Sequence, residues 1–66
     1  MLITVNGESR NIPEESTAAD LLRELDLKAA QVVVEVNLDI LKREALNERT
    51  LQEGDQIEIL HFVGGG

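Results

Sequence analysis

The spacing of apolar residues changes several times along this chain, and each change marks an element. Met1, Ile3 and Val5 fall on one side of a two-residue repeat, which predicts a strand over residues 1–6. Asn6-Gly7 follows, the strongest short hairpin signal, because a type I′ turn needs positive φ at both central residues. Glu8 to Ile12 is then the returning strand, and Pro13, with no amide proton, ends the pairing. At Thr17 the spacing lengthens. Ala18, Leu21, Leu22 and Leu25 stand at i, i+3, i+4 and i+7, so Thr17–Leu25 reads as a helix with one face in the core. Thr17 is its natural cap, and Asp20 stands where a capping box wants an acid.

Val32 to Val36 is β-branched and nearly continuous, so it reads as a strand with both faces at least partly covered. Asn37-Leu38-Asp39 is a turn, Ile40-Leu41 a short strand, and Arg43 to Leu46 a single helical turn. Glu53-Gly54-Asp55 is a second tight turn. Gln56 to Val63 is the last strand, with Ile57 and Ile59 on one face and Leu60 and Phe62 on the other. The order is hairpin, helix, strand, short pieces, strand. One helix on one face of a mixed sheet gives that order a single core, the α+β arrangement called β-grasp. The N- and C-terminal strands then lie side by side in the sheet centre.

Composition narrows the chemistry. A chain of 66 residues makes one small domain, with no room for a deep cleft as well as a core. That argues for a chain on which other proteins act, and against a self-contained enzyme. There is no cysteine, hence no disulfide, thiolate metal site or thiol nucleophile, and the single His61 cannot hold a zinc ion alone. His61 also lacks a positioned partner, so a surface role suits it better than acid–base work. No Gly-rich loop opens a helix, so no bound nucleotide or other cofactor is expected on this chain. A net charge of −7 disfavours nucleic acid; it suits a partner with a basic patch, but most of these carboxylates read as the solvating surface of a small domain. Residues 1–5 lack a basic n-region, and no stretch approaches a membrane span, so the expected location is cytoplasmic and away from the membrane. Arg43 and Glu44 can pair with each other or meet a partner; a surface pair contributes under about 1 kcal/mol and carries no mechanism.

The most informative feature is the ending, Gly64-Gly65-Gly66, directly after an apolar strand. Glycine is about 7% of average sequence, so three in a row at a given terminus is a roughly 3 in 10,000 accident. A glycine arm can lie extended in a slot too narrow for any side chain. It suits a chain whose C-terminal carboxylate is another enzyme's substrate; a frayed solubilising tail is the plain alternative. Residues 1–63 then form the domain and residues 64–66 a flexible tail. Leu60, Phe62 and Val63 lead into it and form a possible docking anchor, Phe62 being the only aromatic residue. Alternation does not decide between an outward Phe62 and one packed near Leu46 and Leu51. A carboxylate is a poor electrophile until activated. Attack on the α-phosphate of ATP gives an acyl-adenylate, which accepts a persulfide sulfur to become a thiocarboxylate, or a lysine amine to become an isopeptide.

The whole chain resembles the ThiS family of small sulfur carriers in thiamin thiazole biosynthesis. The residues that carry the resemblance are Val5-Asn6-Gly7-Glu8, residues 17–27 (TAADLLRELDL), residues 34–39 (VEVNLD), Arg43-Glu44 and, above all, residues 51–66 (LQEGDQIEILHFVGGG). The resemblance implies a β-grasp fold and a carrier that is not itself an enzyme. It implies adenylation and then thiocarboxylation at Gly66, with Gly64 and Gly65 recognised as the tail. The partners it implies are a ThiF-like adenylating enzyme that uses ATP, a ThiG-like thiazole synthase, and a sulfur donor such as a cysteine desulfurase. Where relatives often have Pro before the Arg and Trp shortly after, this chain has Lys42 and Leu46. Molybdopterin or another thiolation pathway, a ubiquitin-like modifier and a β-grasp interaction module are the competing readings.

Overall fold

The structure, a computed structural model, describes residues 1–62. Five strands form one sheet: β1 (Leu2–Val5), β2 (Glu8–Asn11), β3 (Val32–Val36), β4 (Asp39–Leu41) and β5 (Gln56–His61). The strand order is β2-β1-β5-β3-β4. Only β1 and β5 run parallel, and they meet side by side, with β5 central. A helix, α1 (Ala18–Glu24), and two 3₁₀ turns, Ala29–Gln31 and Arg43–Ala45, complete the described elements. This is the β-grasp fold expected from the order of elements.

The core is built from the predicted stripes. Ile3 and Val5 of β1, Val32, Val34 and Val36 of β3, and Ile57 and Ile59 of β5 are buried with Ala18, Leu21 and Leu22 of α1. Leu25, the last residue of the helical stripe, is only partly buried. In β3 the burial alternates, because Val33 and Glu35 on the opposite face are half-covered. Leu46 and Leu51 of the long connection plug the same core, and its backbone crosses the start of α1: Ala18 N donates to Arg49 O at 3.0 Å and Leu51 N to Ser16 O at 2.8 Å.

The cap of α1 is a complete capping box. Thr17 Oγ1 accepts from Asp20 N at 3.1 Å, and Asp20 Oδ2 accepts from Thr17 N at 2.9 Å. The Asp20 carboxyl is held below its ordinary value of 3.8, first by the Thr17 N–H and then by the Thr17 hydroxyl, with Arg23 helping. Two hairpins turn through left-handed pairs. Asn6 and Gly7 have φ of 49° and 84°, the type I′ signs that the dipeptide predicts. Asn37 and Leu38 have φ of 52° and 74°, so the second turn is also two residues long and Asp39 already belongs to β4. The last strand is shorter than the reading of residues 56–63, ending at His61.

Candidate functional site

β5 carries the end of the chain, so what holds β5 sets where the tail starts. From one side β3 pairs with it over its whole length, from Val36↔Ile57 to Val32↔His61, and Phe62 N still donates to Gln31 O at 3.2 Å. From the other side β1 gives only Thr4↔Gln56 and Val5↔Ile57 before it turns into the hairpin. The Asn6 side chain takes over there. Its Oδ1 accepts from Ile59 N at 2.7 Å and its Nδ2 donates to Ile59 O at 3.2 Å. The carboxamide copies a peptide unit and extends the ladder by one residue.

Sequence reading missed this role. Asn-Gly is read for its turn geometry, and only the β1–β5 register places residue 6 against residue 59. The start of β5 is fixed in the same manner. Asn37 Oδ1 accepts from Gln56 N at 2.9 Å, and Asn37 Nδ2 donates to Asp55 Oδ1 at 3.0 Å. Asn37 therefore clamps the first residue of the central strand and Asn6 its Ile59, each from a left-handed turn.

Leu60 and Phe62 are 51% and 53% exposed, so Phe62 does not pack with Leu46 and Leu51, which are buried. Leu60 belongs to the sheet face opposite α1, where Ile40 is 66% exposed and Val33 half-covered. The expected docking residue Val63, the tail glycines Gly64 and Gly65, the expected modified residue Gly66, and the boundary between residues 63 and 64 lie outside the described residues.

His61 is exposed and makes no ion pair among the described residues. It borders a depression of about 330 Å³ shared with Val5, Asn6, Arg10, Leu25 and Leu27, a hollow that the sequence did not suggest. Arg43 and Glu44 are exposed and form no ion pair with each other. Among the described residues no group of three or more His, Asp or Glu side chains is placed to hold a metal ion, and no helix is long and apolar enough to cross a membrane.

The family model described as ThiS family matches residues 3–66. The chain is 38% identical to the sulfur carrier protein ThiS of Bacillus subtilis, over 98% of this chain and all of that protein. A thiazole synthase of Paramagnetospirillum magneticum is 38% identical over the whole of this chain, which spans only 20% of that protein's length. The thiazole synthase of Magnetococcus marinus, 41% identical, is likewise matched over 20% of its length. Among solved structures, the crystal structure of a thiamine biosynthesis protein (ThiS) from Geobacter metallireducens superposes with a TM-score of 0.86 at 39% identity, over 100% of both chains.

Proposed function

The chain belongs to the ThiS family of β-grasp sulfur carriers, and from that premise we propose that it carries sulfur on its C-terminal glycine for thiazole synthesis. The observation that carries this reading is the sequence of residues 51–66, in which β5, alternately buried and exposed up to Ile59, is followed after Phe62 and Val63 by Gly64-Gly65-Gly66. The domain serves as the handle, and the glycine arm supplies reach. From Leu60 to Gly66 six residues extend at most about 20 Å, enough to enter a partner's active site while the sheet stays outside.

The chemistry balances as follows. The Gly66 carboxylate, ionised at neutral pH because its pKa is about 3.5, attacks the α-phosphorus of ATP held by the activating enzyme. Pyrophosphate leaves and an acyl-adenylate remains. A persulfide sulfur, generated by a donor such as a cysteine desulfurase, attacks the acyl carbon and AMP departs, which leaves an acyl disulfide. A thiol then attacks the donor's sulfur and breaks the S–S bond. The products are the Gly66 thiocarboxylate and a donor disulfide. Every catalytic group in this sequence belongs to a partner, and this chain acts as co-substrate.

The two relatives named thiazole synthase support a ThiG-like acceptor, since a ThiS-like region forms part of each. The chain itself needs no bound cofactor, and ATP belongs to the ThiF-like enzyme. Cytoplasmic location is part of the same proposal, because these steps use soluble nucleotide and reduced thiols. The test is ATP–pyrophosphate exchange by a ThiF-type enzyme, with this chain as the second substrate. Exchange that needs this chain and disappears when Gly66 is removed is expected. Exchange that persists without Gly66 refutes the proposal.

A further inference from the structure

Asn6-Gly7 is the only Asn-Gly pair in the chain; Asn11, Asn37 and Asn47 are followed by Ile12, Leu38 and Glu48. The pair has a reactivity separate from its turn geometry. A deprotonated backbone nitrogen attacks the side-chain carbonyl carbon of the asparagine before it. Glycine, with no Cβ, lets its nitrogen come closest. Both residues are exposed, and a Cβ at Gly7 would meet no atom within 4 Å, so water and hydroxide reach this peptide unit.

The fold holds the reacting carbon elsewhere. Asn6 N donates to Ile57 O at 2.9 Å, Asn6 Oδ1 accepts from Ile59 N at 2.7 Å, and Asn6 Nδ2 donates to Ile59 O at 3.2 Å. A carboxamide bound to β5 through both of its ends cannot swing its Cγ onto the Gly7 nitrogen until both bonds break. The backbone is fixed as well, because the Val5↔Glu8 pair closes the turn. Ring closure therefore needs a local opening that lifts the turn off β5. Asn37 offers a comparison within the same molecule: it sits in a matching left-handed turn and binds Gln56, but a leucine follows it.

We propose that Asn6-Gly7 is a site of spontaneous deamidation, held off by the Ile59 clamp, and that conversion of the asparagine unfastens the end of the central strand. Water is the only co-reactant. Gly7 N loses its proton to hydroxide and attacks Asn6 Cγ. The Cγ–Nδ2 bond breaks, and the nitrogen leaves as ammonia with a proton from water, which restores the hydroxide. Water then opens the five-membered imide at either carbonyl, leaving an aspartate or a main chain rerouted through the β-carboxyl. The aspartate keeps an acceptor for Ile59 N but sets a carboxylate oxygen against Ile59 O where a donor stood, so two acceptors face each other. The rerouted form adds a methylene to the main chain and no longer fits a two-residue turn. The site requires the fold alone and is independent of the carrier reading.

The test follows the proteolytic peptide that contains Asn6 by mass spectrometry. The chain is incubated at mildly alkaline pH, either native or unfolded in urea. In urea, Asn6 is expected to lose ammonia faster than Asn11, Asn37 and Asn47 of the same sample. In the native chain its conversion is expected to be slower by about tenfold or more. Intermediate urea should raise that rate in step with hydrogen exchange at the Ile59 amide. Equal rates in the native and unfolded chain overturn the protection by the clamp, and an unfolded chain in which Asn6 converts no faster than the other asparagines overturns the site. The consequence is read on Asn6→Asp, which is expected to lower Tm by about 5 °C and to speed exchange at the Ile59 amide. A variant with the Tm and the Ile59 exchange of wild type overturns the release of the strand.

Discussion

Three side chains set the local behaviour of this domain. Thr17 and Asp20 close the start of α1 reciprocally, while Ala18 N and Ala19 N donate to Arg49 O and Leu46 O of the long connection. Thr17→Ala is therefore expected to cost about 1 kcal/mol, which in a domain of this size lowers Tm by roughly 4–8 °C. The Asp20 carboxyl lies below its ordinary value, so its contribution is complete above about pH 4 and is lost as pH falls through the lowered folded value. The Tm difference between wild type and Asp20→Asn should shrink on acidification below that range, as thermal melts at stepped pH will read. The third side chain is Asn6. Asn6→Gly keeps the left-handed turn but removes both bonds to Ile59. The expected loss is about 1–2 kcal/mol, with faster hydrogen exchange at the Ile59 amide. Unchanged exchange there would remove Asn6 from the account of how the tail's origin is held. The capping box was legible because its partners are three residues apart. The Asn6–Ile59 clamp was not, since 53 residues separate them and only strand register brings them together.

At the scale of elements, periodicity carried the fold. The two-residue repeat at Ile3 and Val5, the helical stripe from Ala18 to Leu22, and the Val32, Val34 and Val36 series all ended in the same core. Pattern failed where the cause is backbone strain or edge position. Leu38 holds φ at 74° with its side chain 87% exposed, a conformation that a leucine occupies at a cost. The turn was readable from Asn37, but nothing in Asn-Leu says that the second residue must also be left-handed. Leu38→Gly fits the type I′ geometry, and a rise in Tm of about 2–5 °C is expected, the steric gain exceeding the entropy of the added glycine. A fall would mean that the leucine is held by contacts that offset its strain. The end of β5 is a second such place. Alternation put Leu60 and Phe62 on one side without fixing whether that side is covered, and the position of Leu46 and Leu51 in the core leaves Phe62 exposed.

At the scale of the molecule, one helix and five strands enclose a single core among the described residues, and none of these residues forms a second layer on the sheet face opposite α1. A net charge of −7 and the terminal Gly64-Gly65-Gly66 fit the proposed carrier, a body held by partners and a C-terminus that they modify. The carrier family was legible in the sequence because residues 51–66 carry its pattern in one continuous stretch. The opposition of Glu35 and Glu58 was not, because they lie 23 positions apart and meet only through strand pairing. Loss of Gly65 and Gly66 should leave Tm within about 2 °C of wild type, since tail residues add little to a core, while abolishing activation. The most direct measurement is the mass of the C-terminal proteolytic fragment after incubation with a ThiF-type enzyme, ATP and a persulfide donor. The fragment is needed because replacing oxygen by sulfur adds nearly the same mass as oxidising Met1. An ATP-dependent gain of about 16 Da confined to the fragment ending in Gly66 is predicted, from one oxygen exchanged for one sulfur. An unmodified fragment under conditions where the same enzyme thiocarboxylates its own carrier would contradict the account.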